Sequence, residues 1–104
     1  MSVKDVTKAT LADSIEKGKG VQLLNFHATW CGPCKMLSPV LKQIAEELKI
    51  EVFKVDVDQD REFAREMGVS GTPTTFVYKD GKLISHVVGY GAYEQFVEAL
   101  KPFM

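Results

Sequence analysis

The sequence predicts an α/β fold: a central mixed β-sheet with helices on both of its faces, in the order βαβαβαββα. Three features carry that prediction. Val21-Gln22-Leu23-Leu24-Asn25-Phe26 is too apolar at odd and even positions alike for a strand with one wet face, so it belongs mid-sheet, covered on both sides. Strand-like runs alternate with helical periodicity along most of the chain, as parallel strands joined by crossover helices require. Near the end, Asp80-Gly81 between two strand-like runs marks a hairpin, which makes the last pair antiparallel and the sheet mixed.

One domain over residues 1–104 accounts for the length. Ser2 to Val6 reads as a short edge strand. Thr7 or Thr10 caps a helix through Lys17, with Leu11 and Ile15 four apart on its buried face, and Gly18-Lys19-Gly20 ends it. The Val21 strand follows. Lys35 to Lys49 then carries Leu37, Val40, Leu41, Ile44, Ala45 and Leu48 on one helical stripe. Pro39 inside it removes a backbone donor and crowds the preceding turn, which predicts a kink. Glu51 to Val57 is a strand parallel to the Val21 strand through a right-handed crossover. Asp58-Gln59-Asp60 opens a short helix with Phe63, Ala64 and Met67, closed by Gly68. Val69 to Pro73 turns into the Thr74–Tyr78 strand, and Lys82 to Val88 returns antiparallel to it. Gly89-Tyr90-Gly91 breaks that strand before a last helix from Ala92 to Phe103, with Phe96, Val97 and Leu100 inward.

Charge excludes several classes of function. Lys and Arg number 13 against 14 Asp and Glu, a net charge of −1, with no basic excess for nucleic acid and no polybasic run for a membrane surface. Met1-Ser2-Val3-Lys4-Asp5 has no apolar core or cleavage-like site, so no signal peptide is expected, and no apolar run has the length of a membrane span. A cytoplasmic protein is the expectation. In that compartment a disulfide is more often catalytic than structural, and two cysteines are too few for a secreted disulfide framework.

Both cysteines and the single tryptophan fall in Trp30-Cys31-Gly32-Pro33-Cys34-Lys35, between a buried strand and an amphipathic helix. There the first cysteine meets unpaired N–H groups and the positive end of the helix dipole, which favour a thiolate. The second lies one turn on, on the same face, within reach of a disulfide. Cys31, nearer the surface, is then the attacking thiolate, and Cys34, inside the first turn, the buried resolving thiol. Pro33 pre-sets a helical φ and lacks a donor that would be wasted there, and Gly32 leaves room for a substrate backbone. Lys35 either adds positive charge or is a solvated lysine. Trp30 is either an apolar contact beside the site or a core residue capping the strand. Zinc uses the same Cys spacing but needs two further ligands, and His27 and His86, the only histidines, both read as strand residues. A purely structural disulfide would close a very short loop and constrain the unfolded chain little.

The hexapeptide, with the element order along essentially the whole chain, resembles the thioredoxin family. The resemblance implies the thioredoxin fold and a thiol–disulfide oxidoreductase that reduces protein disulfides and contributes to cell redox homeostasis. It also implies recharge by an NADPH-dependent flavoprotein reductase, no cofactor of its own, and a monomer. Thr72-Pro73 matches the family's cis-proline turn facing the cysteines, where the Thr72 backbone pairs with an extended substrate; an ordinary trans turn is the alternative. Gly71, Gly89 and Tyr90 match the family's substrate surface, although Tyr90 equally reads as a plain surface tyrosine. The chain departs from the family under the second cysteine. Asn25 stands where thioredoxins usually carry a buried aspartate, His27 where they carry an aromatic residue, and Lys54 matches a buried lysine that here lacks its carboxylate partner. Asparagine cannot serve as a base at neutral pH. Either Asn25 and His27 are packing replacements, or His27, on the same strand face as Asn25, takes over proton transfer. Two other functions compete: a thioredoxin-fold binding or scaffold module with slow or no turnover, and an oxidase- or isomerase-like relative.

Overall fold

The computed structural model describes residues 3–11 and 14–104. Among the described residues five strands form one sheet: β1 (Val3–Asp5), β2 (Val21–His27), β3 (Glu51–Asp56), β4 (Thr74–Lys79) and β5 (Lys82–Val88). Their spatial order is β1-β3-β2-β4-β5. β3 pairs parallel with β1 and with β2, while β4 pairs antiparallel with β2 and with β5. The mixed sheet expected from the sequence is thus present, with β2 at its centre. The Ser2 end of the first expected strand lies outside the described residues.

Strand β2 is central because it is apolar on both faces. Leu23 points into a core with Leu37, Leu41, Ile44, Val52 and Phe96; Leu24 and Phe26 point into another with Leu11, Phe53, Phe63 and Phe76. The Phe26 ring meets Phe63 and Phe76 edge-on, with centroids 5.2 and 5.7 Å apart. The first core lies under α2 (Gly32–Glu47) and α4 (Tyr93–Leu100), the second under α1 (Lys8–Leu11) and α3 (Arg61–Glu66).

Three helix boundaries differ from expectation, each for a local reason. Thr7 is the cap of α1: its Oγ1 accepts the Thr10 N–H at 3.4 Å, while Thr10 Oγ1 accepts the Thr7 N–H at 2.7 Å. The described helix ends at Leu11 and residues 14–16 form a turn, so it does not run on to Lys17; Ala12 and Asp13 lie outside the described residues. Helix α2 starts three residues before Lys35, because Cys31 caps it. The last helix gives way at Lys101 to a short 3₁₀ turn (Lys101–Phe103), since Pro102 has no N–H to continue the ladder. At the β4–β5 hairpin, Asp80 and Gly81 have φ of 51° and 83°, the left-handed pair that a two-residue turn needs. No other residue fits at Gly81, since a Cβ there would lie 2.2 Å from the Glu16 carbonyl oxygen.

Candidate functional site

Cys31 and Cys34 are joined in a disulfide, with Cα atoms 5.3 Å apart. The geometry follows from the capping: Cys31 is extended, with φ −92° and ψ 114°, and its Sγ accepts the Cys34 N–H at 3.2 Å. A sulfur thus occupies the place where a helix N-terminus normally binds a side-chain oxygen, facing the unpaired N–H groups and the positive end of the dipole. Pro33 lies in that first turn, where its missing donor costs nothing. A Cβ at Gly32 would meet no atom within 4 Å, so the backbone between the cysteines is open to an approaching chain.

One expectation fails. Cys31 is not nearer the surface than Cys34: in the oxidised pair the two are 5% and 6% exposed. The reason is the turn across from it. The Thr72–Pro73 peptide bond is cis, which settles the choice against a trans turn, and the Thr72 carbonyl oxygen lies 3.6 Å from Cys31 Sγ. What distinguishes the two sulfurs is therefore the Cys34 N–H that Cys31 Sγ accepts, not exposure.

The Gly89 N–H donates to the Pro73 carbonyl at 2.8 Å, tying Gly89-Tyr90 to the cis turn, and a Cβ on Gly71 would meet nothing within 4 Å. Trp30, Val57, Ala64, Val69, Gly71 and Thr72 line a mostly apolar hollow of about 170 Å³ beside the disulfide. Tyr90, half-exposed, borders a different hollow against α4 with Phe96. Trp30 is 69% exposed and so is no core residue. Its indole N–H donates to Asp58 Oδ2 at 2.8 Å, which holds the ring beside Cys31. Asp58 carried no sequence signal beyond its place at the expected opening of a short helix.

The polar residues singled out on β2 and β3 divide into two groups. Asn25, 1% exposed, donates its Nδ2–H to Thr75 Oγ1 at 3.0 Å, and the two residues are directly opposite in the β2–β4 register. His27 instead lines a cleft of about 260 Å³ together with Cys34, Lys35, Ser38 and Lys54. Lys54 is half-buried rather than buried, and its Nζ donates to Ser38 Oγ at 3.4 Å. The imidazole of His27 is held below its ordinary pKa of 6.5, first by burial and then by the Lys54 charge, with Asp56 and Asp5 acting the other way. Thr75 and Ser38 had no signal in the sequence. Both are partners across packed elements. Among the described residues, no three His, Cys, Asp or Glu side chains converge as a metal site would require. No helix among them is long and apolar enough to cross a membrane.

The thioredoxin family model matches residues 2–102. Thioredoxins of several Staphylococcus aureus strains, COL and USA300 among them, are 41% identical over 102 residues, which is 96% of this chain and 96% of their own length. A mutant thioredoxin from Halobacterium salinarum NRC-1 superposes with a TM-score of 0.90 at 33% identity, covering 98% of this chain and 90% of the other. With a redox-capable cysteine pair at the head of α2, a cis-proline turn against it and this fold throughout, the chain belongs to the thioredoxin family, protein-disulfide oxidoreductases that work by dithiol–disulfide exchange.

Proposed function

We propose that Cys31 is the attacking thiolate and Cys34 the resolving thiol of a protein-disulfide reductase. The observation that carries this reading is the Cys34 N–H on Cys31 Sγ at 3.2 Å at the start of α2, a donor placed to hold negative charge on that sulfur. In the reduced protein, the Cys31 thiolate attacks a substrate disulfide, forming a mixed disulfide and releasing one substrate thiolate. Cys34 then attacks Cys31 Sγ, the second substrate sulfur leaves, and the Cys31–Cys34 disulfide remains. Two electrons pass from the pair to the substrate, and nothing else is consumed.

Gly71, Thr72, Pro73, Gly89 and Tyr90, with Trp30 beside them, supply the face against which an extended substrate segment lies, paired through the Thr72 main chain. Family membership implies disulfide-bearing substrates and a reductase in general. The specific reductase in this reading is an NADPH-dependent flavoprotein. The chain works as a monomer in the cytoplasm, as one domain, with no cofactor of its own.

Steady-state turnover with such a reductase and insulin tests the proposal. Insulin reduction is expected to run faster than with dithiothreitol alone, to stop in Cys31→Ser, and to stall as a gel-visible mixed disulfide in Cys34→Ser. No acceleration over dithiothreitol would leave a binding or scaffold module. A potential more oxidising than the glutathione pool would move the protein to the oxidase-like class.

A further inference from the structure

We propose that His27 is the proton acceptor for Cys34 in the resolving step, acting from the cleft between β2, β3 and the first turn of α2; the proposal rests on the reading of Cys34 as the resolving thiol. A thiol at an ordinary pKa near 8.5 is mostly protonated at neutral pH, and only its thiolate attacks. Something must take that proton. The cleft of about 260 Å³ reaches Cys34, and it has room for water between the sulfur and a base.

The candidates along that cleft are few. Lys35 and Lys54 offer donors and no acceptor, and Thr29 and Ser38, the latter already receiving the Lys54 donor, are hydroxyls with no useful basicity. Asn25 is not a base, and its amide is committed to Thr75 on the next strand. His27 remains, on the α2 face of the sheet by the same alternation that sends Leu23 into the α2 core. The charged and titratable groups around it are Lys54 and Asp56 on β3, Asp5 on β1, and Lys35 and Cys34 on α2. Burial and the Lys54 cation keep the imidazole neutral at pH 7, ready to accept. Asp56 and Asp5 favour the imidazolium once it forms.

In the step itself, the free ring nitrogen of His27 takes the Cys34 proton, directly or through one water. The Cys34 electron pair forms the bond to Cys31 Sγ, the Cys31–substrate bond breaks, and the departing substrate thiolate is reprotonated by the imidazolium or by solvent. The reverse sequence serves recharging, with His27 returning the proton as Cys34 is released.

Trp30, beside Cys31, makes the step readable. Reduced protein mixed with a model peptide disulfide in a stopped-flow instrument from pH 5 to 9 separates attack from resolution by Trp30 fluorescence. Wild-type resolution is expected to rise through a pKa below 6.5 and then level off. In His27→Phe and His27→Gln that rise disappears and resolution at pH 7 slows by at least about tenfold, below the usual range for general-base catalysis because a thiol needs less help than a hydroxyl. Alkylation of Cys31 by iodoacetamide stays unchanged, as does the profile of His86→Gln. Lys54→Met keeps the histidine in place. In that variant the imidazole titration seen by NMR and the rise in resolution rate move to higher pH together. A wild-type profile retained in His27→Phe, or a resolution profile in Lys54→Met that does not follow the imidazole, overturns the proposal. A wild type inert toward disulfides overturns the redox reading as well, whereas turnover with an unmoved His27→Phe profile overturns this inference alone.

Discussion

Asn25 and His27 are two residues apart on one strand face, yet their surroundings assign them different work. Asn25 is sealed between strands and spends its amide on Thr75, so it behaves as a satisfied core residue. His27 lies at the strand end where the sheet opens beside Cys34. Its lowered pKa has a consequence for stability that is independent of catalysis. The folded protein binds fewer protons at this site than the unfolded chain whenever the pH lies between the depressed folded value and 6.5. Stability therefore falls as pH drops from about 7 through that window, and levels off once the folded imidazole is also protonated. Urea denaturation at pH 7 and pH 5.5 is expected to show this loss in the wild type and a smaller one in His27→Gln. At this scale the cysteine pair was legible, because two reactive residues at fixed spacing are a local pattern. Thr75, Ser38 and Asp58, the partners of Asn25, Lys54 and Trp30, were not, since each is supplied by another element.

Among the elements, helix starts show how short polar side chains decide boundaries. Asp60 serves two helices at once: Oδ1 accepts the Phe63 N–H at 3.2 Å as the cap of α3, and Oδ2 accepts the Lys8 N–H at 2.9 Å at the start of α1. Asp60→Ala removes both bonds and is expected to cost about 2 kcal/mol, the upper end for loss of a helix cap. Asp60→Asn keeps one carbonyl oxygen for α3 and loses less; urea midpoints of the two variants check the ranking. Periodicity located α2, α3 and α4 well, because a buried stripe repeats every turn. The apolar stripe alone begins only at Lys35, and the start of α2 was read instead from Pro33 and the cysteine pair, which place Cys31 at its N-terminus. The break at Lys101 was missed, because the apolar stripe was followed to Phe103 past Pro102, whose lack of an N–H ends the ladder.

Among the described residues two large cores share one sheet, and β2 supplies side chains to both. Phe26, fully buried against Phe63 and Phe76, anchors the core on the α1–α3 side. Phe26→Ala is expected to destabilise the protein by about 3–5 kcal/mol, a large share of the roughly 5–15 kcal/mol that holds a domain together. Chemical denaturation of the oxidised protein measures it. The same strand also sets the active site: Phe26 is opposite Thr74 in the antiparallel β2–β4 pair, so the chain leading into Thr74 lies beside the chain leaving Phe26. That register carries Thr72 and Pro73 to the sulfur of Cys31, 41 residues away in sequence.

The sequence by itself determined the kinds of element, the mixed sheet, the cysteine pair at a helix start and the replacement of an acid by Asn25. All of these are local patterns of residue type and spacing, which short-range sterics and periodic burial enforce. Tertiary structure decided between the cis and trans turn that the sequence left open at Thr72–Pro73, and it alone decided that Thr75 occupies Asn25, that Asp58 holds Trp30 and that His27 shares a cleft with Cys34. Those facts depend on which strands become neighbours and in what register. Strand order is chosen by packing two cores simultaneously, and no single stretch of the chain encodes it.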